Sequence, residues 1–174
     1  LTTNLPITSI LEGQQVVLNE TKYLVLTYGA PMEASLKTTI DSFLTKTVGY
    51  WRGWVKNMSV STFQQEAIIR SSLALKIHQF EDTGAIIAAG TTNLPESPGS
   101  GRNWDYRYCW LRDTFYTLTT FNNIGHFEEL EKYFNYFLNL TPDEDGRYQP
   151  LYKITGEAKI EEIITELEGY KGNQ

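Results

Sequence analysis

Apolar and polar positions alternate with a period of two near the N-terminus, as they do in a β-strand with one buried face. In KYLVLTY, residues 22–28, one face carries Leu24, Leu26 and Tyr28 and the other Tyr23, Val25 and Thr27. The β-branched segment QQVVL, at 14–18, precedes it across the turn-prone NET, and LPITSIL, at 5–11, ends at a Glu12-Gly13 turn. The pattern predicts three short strands within residues 1–30. Three such strands make a poor sheet by themselves, so we expect them to be the edge of a larger β domain.

After Pro31 the apolar positions recur at steps of three, four and seven residues, the spacing of a helix with one apolar stripe. Helices are predicted over about 36–54, 62–81, 110–122, 127–138 and 157–168. Thr83-Gly84 is expected to close the second helix, and the stretch rich in Pro, Gly and Ser at 90–101 is expected to be a loop.

Strands followed by helices differ from the strict alternation of a parallel α/β sheet. The order predicts an α+β chain, in which the end of a β domain is joined to the beginning of a helical one. Because the amphipathic helices are too few to close a helical barrel, we also expect the chain to be a fragment of a longer protein.

Composition narrows the classes of function without choosing one. Hydrophobic residues make up 41% of the chain and charged residues 21%, as in ordinary soluble proteins. The net charge of −6 argues against a nucleic-acid-binding surface, and no apolar run reaches the roughly 18 residues of a membrane span. Cys109 is the only cysteine, so an intrachain disulfide is excluded. A cytoplasmic location is expected because no signal peptide is visible, although a chain that begins with Leu1 leaves the true N-terminus open.

The segment RNWDYRYCWLRD, residues 102–113, concentrates aromatic and charged side chains as no other part of the chain does. A helix that begins near its end would hold Arg112 and Asp113 in the first turns, with Tyr106 and Trp110 beside them. One interpretation is structural: a buried network of ion pairs that pins loop 90–105 onto the helix. The other is a sugar site, because the C–H faces of a sugar lie on aromatic rings and its hydroxyls need paired donors and acceptors.

The motif, together with TTNLPE at 91–96, RSSLALK at 70–76, TVGYWRGW at 47–54 and the ending LYKITGEAKIEEIITELEGYKG, resembles glycoside hydrolase family 15. That family holds glucoamylase-like enzymes, glucodextranases and a branch of trehalases. The resemblance covers nearly the whole chain in the right order. It implies that residues 1–30 are the last strands of an N-terminal β-sandwich and that 31–174 are a linker helix and the first part of an (α/α)6 barrel.

The resemblance also implies a function: inverting exo-hydrolysis of α-glucosidic bonds that releases glucose, as glucoamylases do. Arg112 and Asp113 would hold the hydroxyls of the terminal glucose in subsite −1, Trp110 would line that subsite, and Tyr106 would lie near the reacting carbon. No metal or organic cofactor is expected. The catalytic acid and base, two glutamates in the family, are expected beyond Gln174. The isolated piece is therefore expected to be inactive.

Two alternatives stay open. A trehalase of the same family would use the same subsite with a different leaving group, and a complete chain would instead be a non-catalytic carbohydrate-binding or scaffold protein. The expected partner is an α-glucan or α-glucoside, with neither nucleic acid nor membrane, and a homo-oligomer is left open.

Other candidate residues carry weaker signals. Glu96 follows a loop proline but does not match a catalytic position of the family, and Cys109, among aromatic residues, is expected to be a packed thiol. His78 and His126 lack partners at metal-ligand spacing. The glutamates of the predicted last helix are expected to be its solvated face: Glu157, Glu161 and Glu162.

Overall fold

The computed structural model describes residues 1–32, 34–92, 94–100, 102–163, 167 and 169–172. The chain forms two compact units, Leu1–Lys56 and Asn57–Gln174. Helices and two small antiparallel sheets make up the described residues, which is an α+β arrangement as predicted. None of the helices in these ranges combines the length and the hydropathy that a membrane span requires.

The first unit contains one two-stranded sheet and one long helix. Strand β1 (Thr2–Thr3) pairs antiparallel with β2 (Leu24–Val25), with Thr2 opposite Val25. A short helix α1 (Ile7–Leu11) lies between them in sequence. Helix α2 (Leu36–Lys56) follows, which confirms the helix predicted over 36–54.

Two of the three predicted N-terminal strands are wrong. LPITSIL contains helix α1 rather than a strand, because Pro6 precedes it with φ of −58°, already suited to a helix, and the Pro6 carbonyl accepts a hydrogen bond from the Ser9 amide at 3.0 Å. Residues 14–18 form no strand, and Val17 and Leu18 are 83% and 74% exposed. A β-branched segment whose side chains find no surface to cover has little to hold it in a sheet. The third predicted strand is real but only two residues long.

The second unit is built around helix α4. Its elements are α3 (Gln65–Lys76), β3 (Cys109–Trp110), α4 (Leu111–Asn123), α5 (Phe127–Leu138), β4 (Leu151–Tyr152) and a 3-10 turn (Tyr170–Gly172). Helices α3 and α5 pack against α4, and β3 pairs antiparallel with β4. Four of those elements contribute buried side chains to this core, among them Cys109, Phe121, Tyr133, Tyr136 and Tyr152. Burial raises the pKa of the Tyr133 and Tyr136 hydroxyls.

Helices α4 and α5 confirm the predictions over 110–122 and 127–138, whereas α3 ends at Lys76, short of the predicted 81. Beyond Lys76 the chain turns back on itself, since Gln79 bridges Ile86 and the Gly84 amide donates to the Phe80 carbonyl at 2.8 Å. Gly84 therefore closes this turn rather than the helix.

Gly84 is required by its surroundings as well as by its backbone. Its φ is +83°, and a Cβ built on it would lie 2.2 Å from the carbonyl oxygen of Lys132 on α5. A side chain at this position would collide with the helix backbone. The turn after α3 therefore rests directly on α5.

The predicted last helix, 157–168, is wrong over 157–163, which contain no helix; residues 164–166 and 168 lie outside the described residues. An isolated helix of this length is marginal in water unless its apolar face is covered. Ile163 and Leu167 are 75% and 78% exposed, so the described part of the chain does not cover that face. Glu157 instead pairs with Lys153 at 2.5 Å, and that hydrogen bond lowers the pKa of Glu157.

Candidate functional site

Main-chain hydrogen bonds hold the central part of the motif in an extended form. The Tyr106 amide donates to the Thr91 carbonyl at 3.0 Å, and the Tyr106 carbonyl accepts from the Ala89 amide at 3.0 Å. The Ala88 amide donates to the Tyr108 carbonyl at 3.0 Å, and β3 then continues the segment against β4. The motif thus lies between residues 88–91 on one side and β4 on the other.

Three aromatic rings of the motif share one face. The rings of Tyr106 and Trp110 lie 6.0 Å apart and those of Tyr108 and Trp110 lie 6.3 Å apart. This follows from the extended backbone, in which alternate residues point to the same side. All three side chains are partly exposed. They form an apolar surface, which we call the aromatic face (Tyr106, Tyr108 and Trp110).

Helix α4 begins immediately after this face and carries the charged pair. Trp110 is the residue that precedes the helix, and Arg112 and Asp113 lie in its first turn, as predicted. A carboxylate is favoured there by the positive end of the helix dipole. The buried Thr114 hydroxyl donates to the Trp110 carbonyl at 2.9 Å and fixes the entry to the helix.

Arg112 and Asp113 form a loose pair at the surface. Their Nε and Oδ2 atoms are 3.7 Å apart, and the side chains are 79% and 45% exposed. The Oδ2 atom itself is buried and accepts no hydrogen bond from the described residues. A buried carboxylate oxygen without a hydrogen-bond donor carries a desolvation cost that a donor would relieve.

Two of the three remaining charged residues of the motif, Asp105 and Arg107, form a separate pair. Oδ1 of Asp105 accepts from the Nε atom of Arg107 at 3.0 Å and Oδ2 accepts from its Nη2 atom at 2.9 Å. These hydrogen bonds lower the pKa of Asp105. The interpretation of the motif as one buried ion-pair network is therefore wrong. Four of its five charges are divided between two pairs, and the arginine of each pair is exposed.

The loop before the motif has its own contacts. Pro95 bridges Asn103, and the Trp104 indole donates to Oε2 of Glu96 at 3.5 Å, while the Arg102 guanidinium lies 5.7 Å from the Trp104 ring centre. Glu96 is thus part of a hairpin contact, which offers no support for a catalytic role.

The weaker candidates occupy structural positions. Cys109 is fully buried, with its Sγ atom 3.5 Å from the Thr114 hydroxyl, which confirms a packed thiol. Nδ1 of His78 lies 2.6 Å from the Ala74 carbonyl. Within the described ranges no three His, Cys, Asp or Glu side chains form a group that could hold a metal ion.

Sequence reasoning missed a buried charged cluster between α3 and α5. Lys76 lies 3.4 Å from Glu129, and Glu129 lies 3.6 Å from Nδ1 of His126, all three being at most 7% exposed. Lys76 also donates to Gln79 at 3.1 Å, and the Gln79 side chain donates to the Glu129 carbonyl at 3.0 Å. No local pattern indicates this cluster, because its members come from distant parts of the chain.

Two surface depressions lie away from the predicted sugar-binding residues. One of about 480 Å³ is lined by the first residues of α3, and one of about 280 Å³ by residues that follow α3 together with Arg107 and Ile154. Neither is lined by Tyr106, Trp110, Arg112 or Asp113. Of these four residues, Arg112 is exposed and the other three are partly exposed.

Comparison with known proteins agrees with the chemistry of this surface. The model of the family described as glycosyl hydrolases family 15 matches residues 62–173. A protein named trehalase from Thermoplasma volcanium is 37% identical over 131 residues, which are 75% of this chain and 21% of that protein. A trehalase from Mycolicibacterium smegmatis is 35% identical over 134 residues, 74% of this chain and 20% of the relative.

A more distant relative, named trehalase 1, from Sulfolobus acidocaldarius, is 29% identical over 142 residues, 80% of this chain and 24% of its own length. The chain spans about a fifth of the length of the curated relatives that it matches, for example 21% and 22% of the two Thermoplasma trehalases. No solved structure matches the chain significantly.

Proposed function

The chain belongs to glycosyl hydrolases family 15, and on that basis we propose that the protein carrying it is a trehalase. In this proposal the chain supplies the surface that holds the glucose unit whose bond is cleaved. The relatives named trehalase support trehalose as the substrate over an α-glucan. The glucoamylase-like activity expected from the motif becomes the second candidate. It keeps the same glucose-binding residues and differs only in the leaving group.

The observation that carries the proposal is the free acceptor of Asp113 beside the aromatic face. A glucose hydroxyl would donate to Oδ2 of Asp113, which is buried and accepts no hydrogen bond from the described residues. Arg112, 3.7 Å away, would offer its guanidinium donors to neighbouring hydroxyl oxygens. The sugar's C–H face would lie on Trp110, whose ring contacts Tyr106.

We propose the inverting mechanism for the bond cleavage. Inverting glycosidases set two carboxyl groups roughly 6.5–9.5 Å apart, so that one protonates the leaving oxygen while the other activates water. We assign neither group to this chain, whose part is to hold the sugar. Residues 1–30 would be the last strands of a β-sandwich, and 31–174 a linker helix and the first part of an (α/α)6 barrel.

The first experiment is trehalose hydrolysis by the full-length protein and its Asp113→Ala variant. A hydrogen bond to a charged group is worth about 1–3 kcal/mol when the acceptor is deleted. The variant should therefore lose roughly 5- to 150-fold in kcat/KM. Asp145→Ala is the matched control, because Asp145 is also paired with an arginine at the surface, 3.8 Å from Arg147. Unchanged turnover in Asp113→Ala would refute the assignment of the site.

A second experiment chooses between the two substrates. The full-length protein is incubated with trehalose, maltose and soluble starch, and the first glucose released is followed by proton NMR. An inverting trehalase should release one β- and one α-glucose from each trehalose and little glucose from starch. Faster cleavage of maltose and starch would favour the glucoamylase-like alternative, and no turnover of any substrate would favour a binding protein.

A further inference from the structure

The main chain of Tyr106 is held by its own hydrogen bonds and by the pair formed by the residues on either side of it. Its amide and carbonyl are bonded to Thr91 and Ala89, each at 3.0 Å. Its two sequence neighbours, Asp105 and Arg107, are bonded to each other across it. The main chain at Tyr106 is thus fixed twice, by the neighbouring segment and by the flanking side chains.

The Asp105–Arg107 pair has a geometry that few exposed ion pairs reach. Oδ1 of Asp105 accepts from both the amide and the Nε atom of Arg107, each at 3.0 Å, and Oδ2 accepts from Nη2 at 2.9 Å. The bond from the amide closes an Asx turn around Tyr106. The two guanidinium bonds form the parallel fork that arginine makes with a carboxylate. Together they restrict the backbone rotations on both sides of Tyr106.

Global stability does not account for this arrangement. The side chains of Arg107 and Asp105 are 60% and 32% exposed, and an exposed ion pair contributes little to the free energy of unfolding. The pair instead restricts the main chain at Tyr106, and with it the orientation of the Tyr106 ring in the aromatic face. Residues 106, 108 and 110 share one side of the extended segment, and the ring of Tyr106 reaches Trp110 at 6.0 Å.

We propose that Asp105 and Arg107 are positioning residues that orient Tyr106 against Trp110 and so shape the sugar-binding surface. The inference rests on the proposed function, because it gives the aromatic face a sugar to hold. The pair acts through Tyr106 and does not itself touch the sugar. Its mutual neutralisation also leaves no net charge from these two groups beside a neutral ligand.

The test is a double-mutant cycle in the full-length protein, with trehalose as the substrate. Asp105→Ala and Arg107→Ala should each lower kcat/KM by about tenfold, since a small misplacement of a site residue can cost up to about 100-fold. Arg107→Lys keeps the charge but not the fork, so its loss should also be clear. In a Tyr106→Ala background, Asp105→Ala should have no further effect, because the residue through which it acts has gone.

Arg147→Ala is the matched control, because Arg147 and Asp145 have the same spacing in sequence but are 3.8 Å apart and lie outside the motif. Thermal melts of each variant distinguish a loss of folding, which lowers Tm, from a misplaced Tyr106 ring, which does not. Losses that add in the Tyr106→Ala background, or kcat/KM within twofold of the parent in Asp105→Ala, would overturn the inference. If the positioning role fails in this way while Asp113→Ala is impaired in the same assays, the proposed function still holds. If Asp113→Ala is also unimpaired, both the positioning role and the proposed function are refuted.

Discussion

The rings of Tyr106 and Trp110 lie 6.0 Å apart with their planes inclined by 37°. Two residues of one extended segment thus present a joined apolar surface, which the edge of Tyr108, at 76° to Trp110, supports from the side. Rings at this distance attract one another beyond the area that they bury. The surface is therefore formed before any ligand arrives, and Asp113 lies in the first turn of the helix that begins beside it.

Replacing Trp110 should weaken substrate binding more than it lowers stability. Trp110→Ala removes both ring contacts and the central part of the aromatic face, a loss of about 0.5–1.5 kcal/mol for a single aromatic contact. KM for trehalose should rise by roughly two- to twelvefold in steady-state assays. Phe115→Ala, at a position 64% exposed on the adjoining helix α4, is the control. Equal effects of the two substitutions would contradict a specific role for Trp110.

Gly84→Ala should destabilise the protein, because the new methyl group would meet the Lys132 carbonyl. Left-handed backbone strain costs about 1–3 kcal/mol, and overpacking adds typically about 1–3 kcal/mol. Gly146→Ala measures the first contribution alone, since Gly146 has φ of +76° but open space around its position, so the excess loss in Gly84→Ala is the overpacking. Urea unfolding should show a larger loss in the free energy of unfolding for Gly84→Ala than for Gly146→Ala. Equal losses would show that α5 moves to accommodate the methyl group at no energetic cost.

Glu129→Gln should be far more harmful than Glu128→Gln one residue earlier. Neutralising Glu129 leaves the Lys76 ammonium, 3% exposed, with the half-exposed Glu81 at 3.3 Å as its carboxylate partner, so the cost should approach but not exceed the about 3–5 kcal/mol of a fully broken buried pair. Glu128 is 74% exposed and pairs with Lys132 at the surface at 3.0 Å, a contact worth at most about 1 kcal/mol. Urea unfolding of the two variants measures the difference. Losses of similar size would mean that the cluster is more hydrated than its burial indicates.

The ion pair between Glu81 and Lys132 should make stability depend on pH in the acid range. A hydrogen bond from Lys132 lowers the pKa of Glu81 below its ordinary value of 4.5. A carboxyl with a lowered folded-state pKa stabilises the fold above its ordinary pKa, and this stabilisation disappears as the pH falls through the lowered value. The difference in Tm between the parent and Glu81→Gln should thus be constant from pH 6 to 8 and shrink below about pH 4.5. Glu131→Gln, an exposed carboxyl of α5, is the control, and a difference that persists unchanged at pH 3 would contradict the assignment.

The 174-residue polypeptide alone should associate and should not cleave trehalose. Large apolar side chains on α4 and α5 are more than half exposed: Phe115, Tyr116, Phe127, Phe134 and Leu138. Uncovered apolar surface of this kind promotes association. Size-exclusion chromatography should show oligomers or a broad peak. A sharp monomer with a cooperative transition above about 60 °C, beyond most mesophile domains, would contradict this expectation.

Local periodicity predicted α2, α4 and α5, although Trp54 is the one buried residue of α2, and it failed over 157–163. The apolar stripes of α4 and α5 match their contacts around α4, so sequence and structure agree there. The stripe of 157–163 has the same spacing but nothing to cover it, and periodicity alone does not reveal whether a partner is present. The N-terminal segment 14–18 failed for the same reason.

Part of the candidate site could be predicted from the sequence. The place of Arg112 and Asp113 in the first turn of α4 followed from the helix pattern, but their exposure did not. The fork between Asp105 and Arg107 has a local signal, since side chains two residues apart in an extended segment lie on the same side. The buried pair of Lys76 and Glu129 has none, because folding brings together two helices that the chain separates by the whole motif.

The alkylation rate of the Cys109 thiol should report how often the core around it opens locally. It is the only cysteine in the sequence, it is fully buried, and its neighbour Trp110 belongs to the aromatic face. An alkylating reagent can reach its sulfur only in molecules where β3 has momentarily separated from its surroundings. The labelling rate therefore counts those openings without any introduced probe. A sugar bound at Trp110, as we propose, should make those openings rarer, so its binding should be measurable as slower alkylation of Cys109.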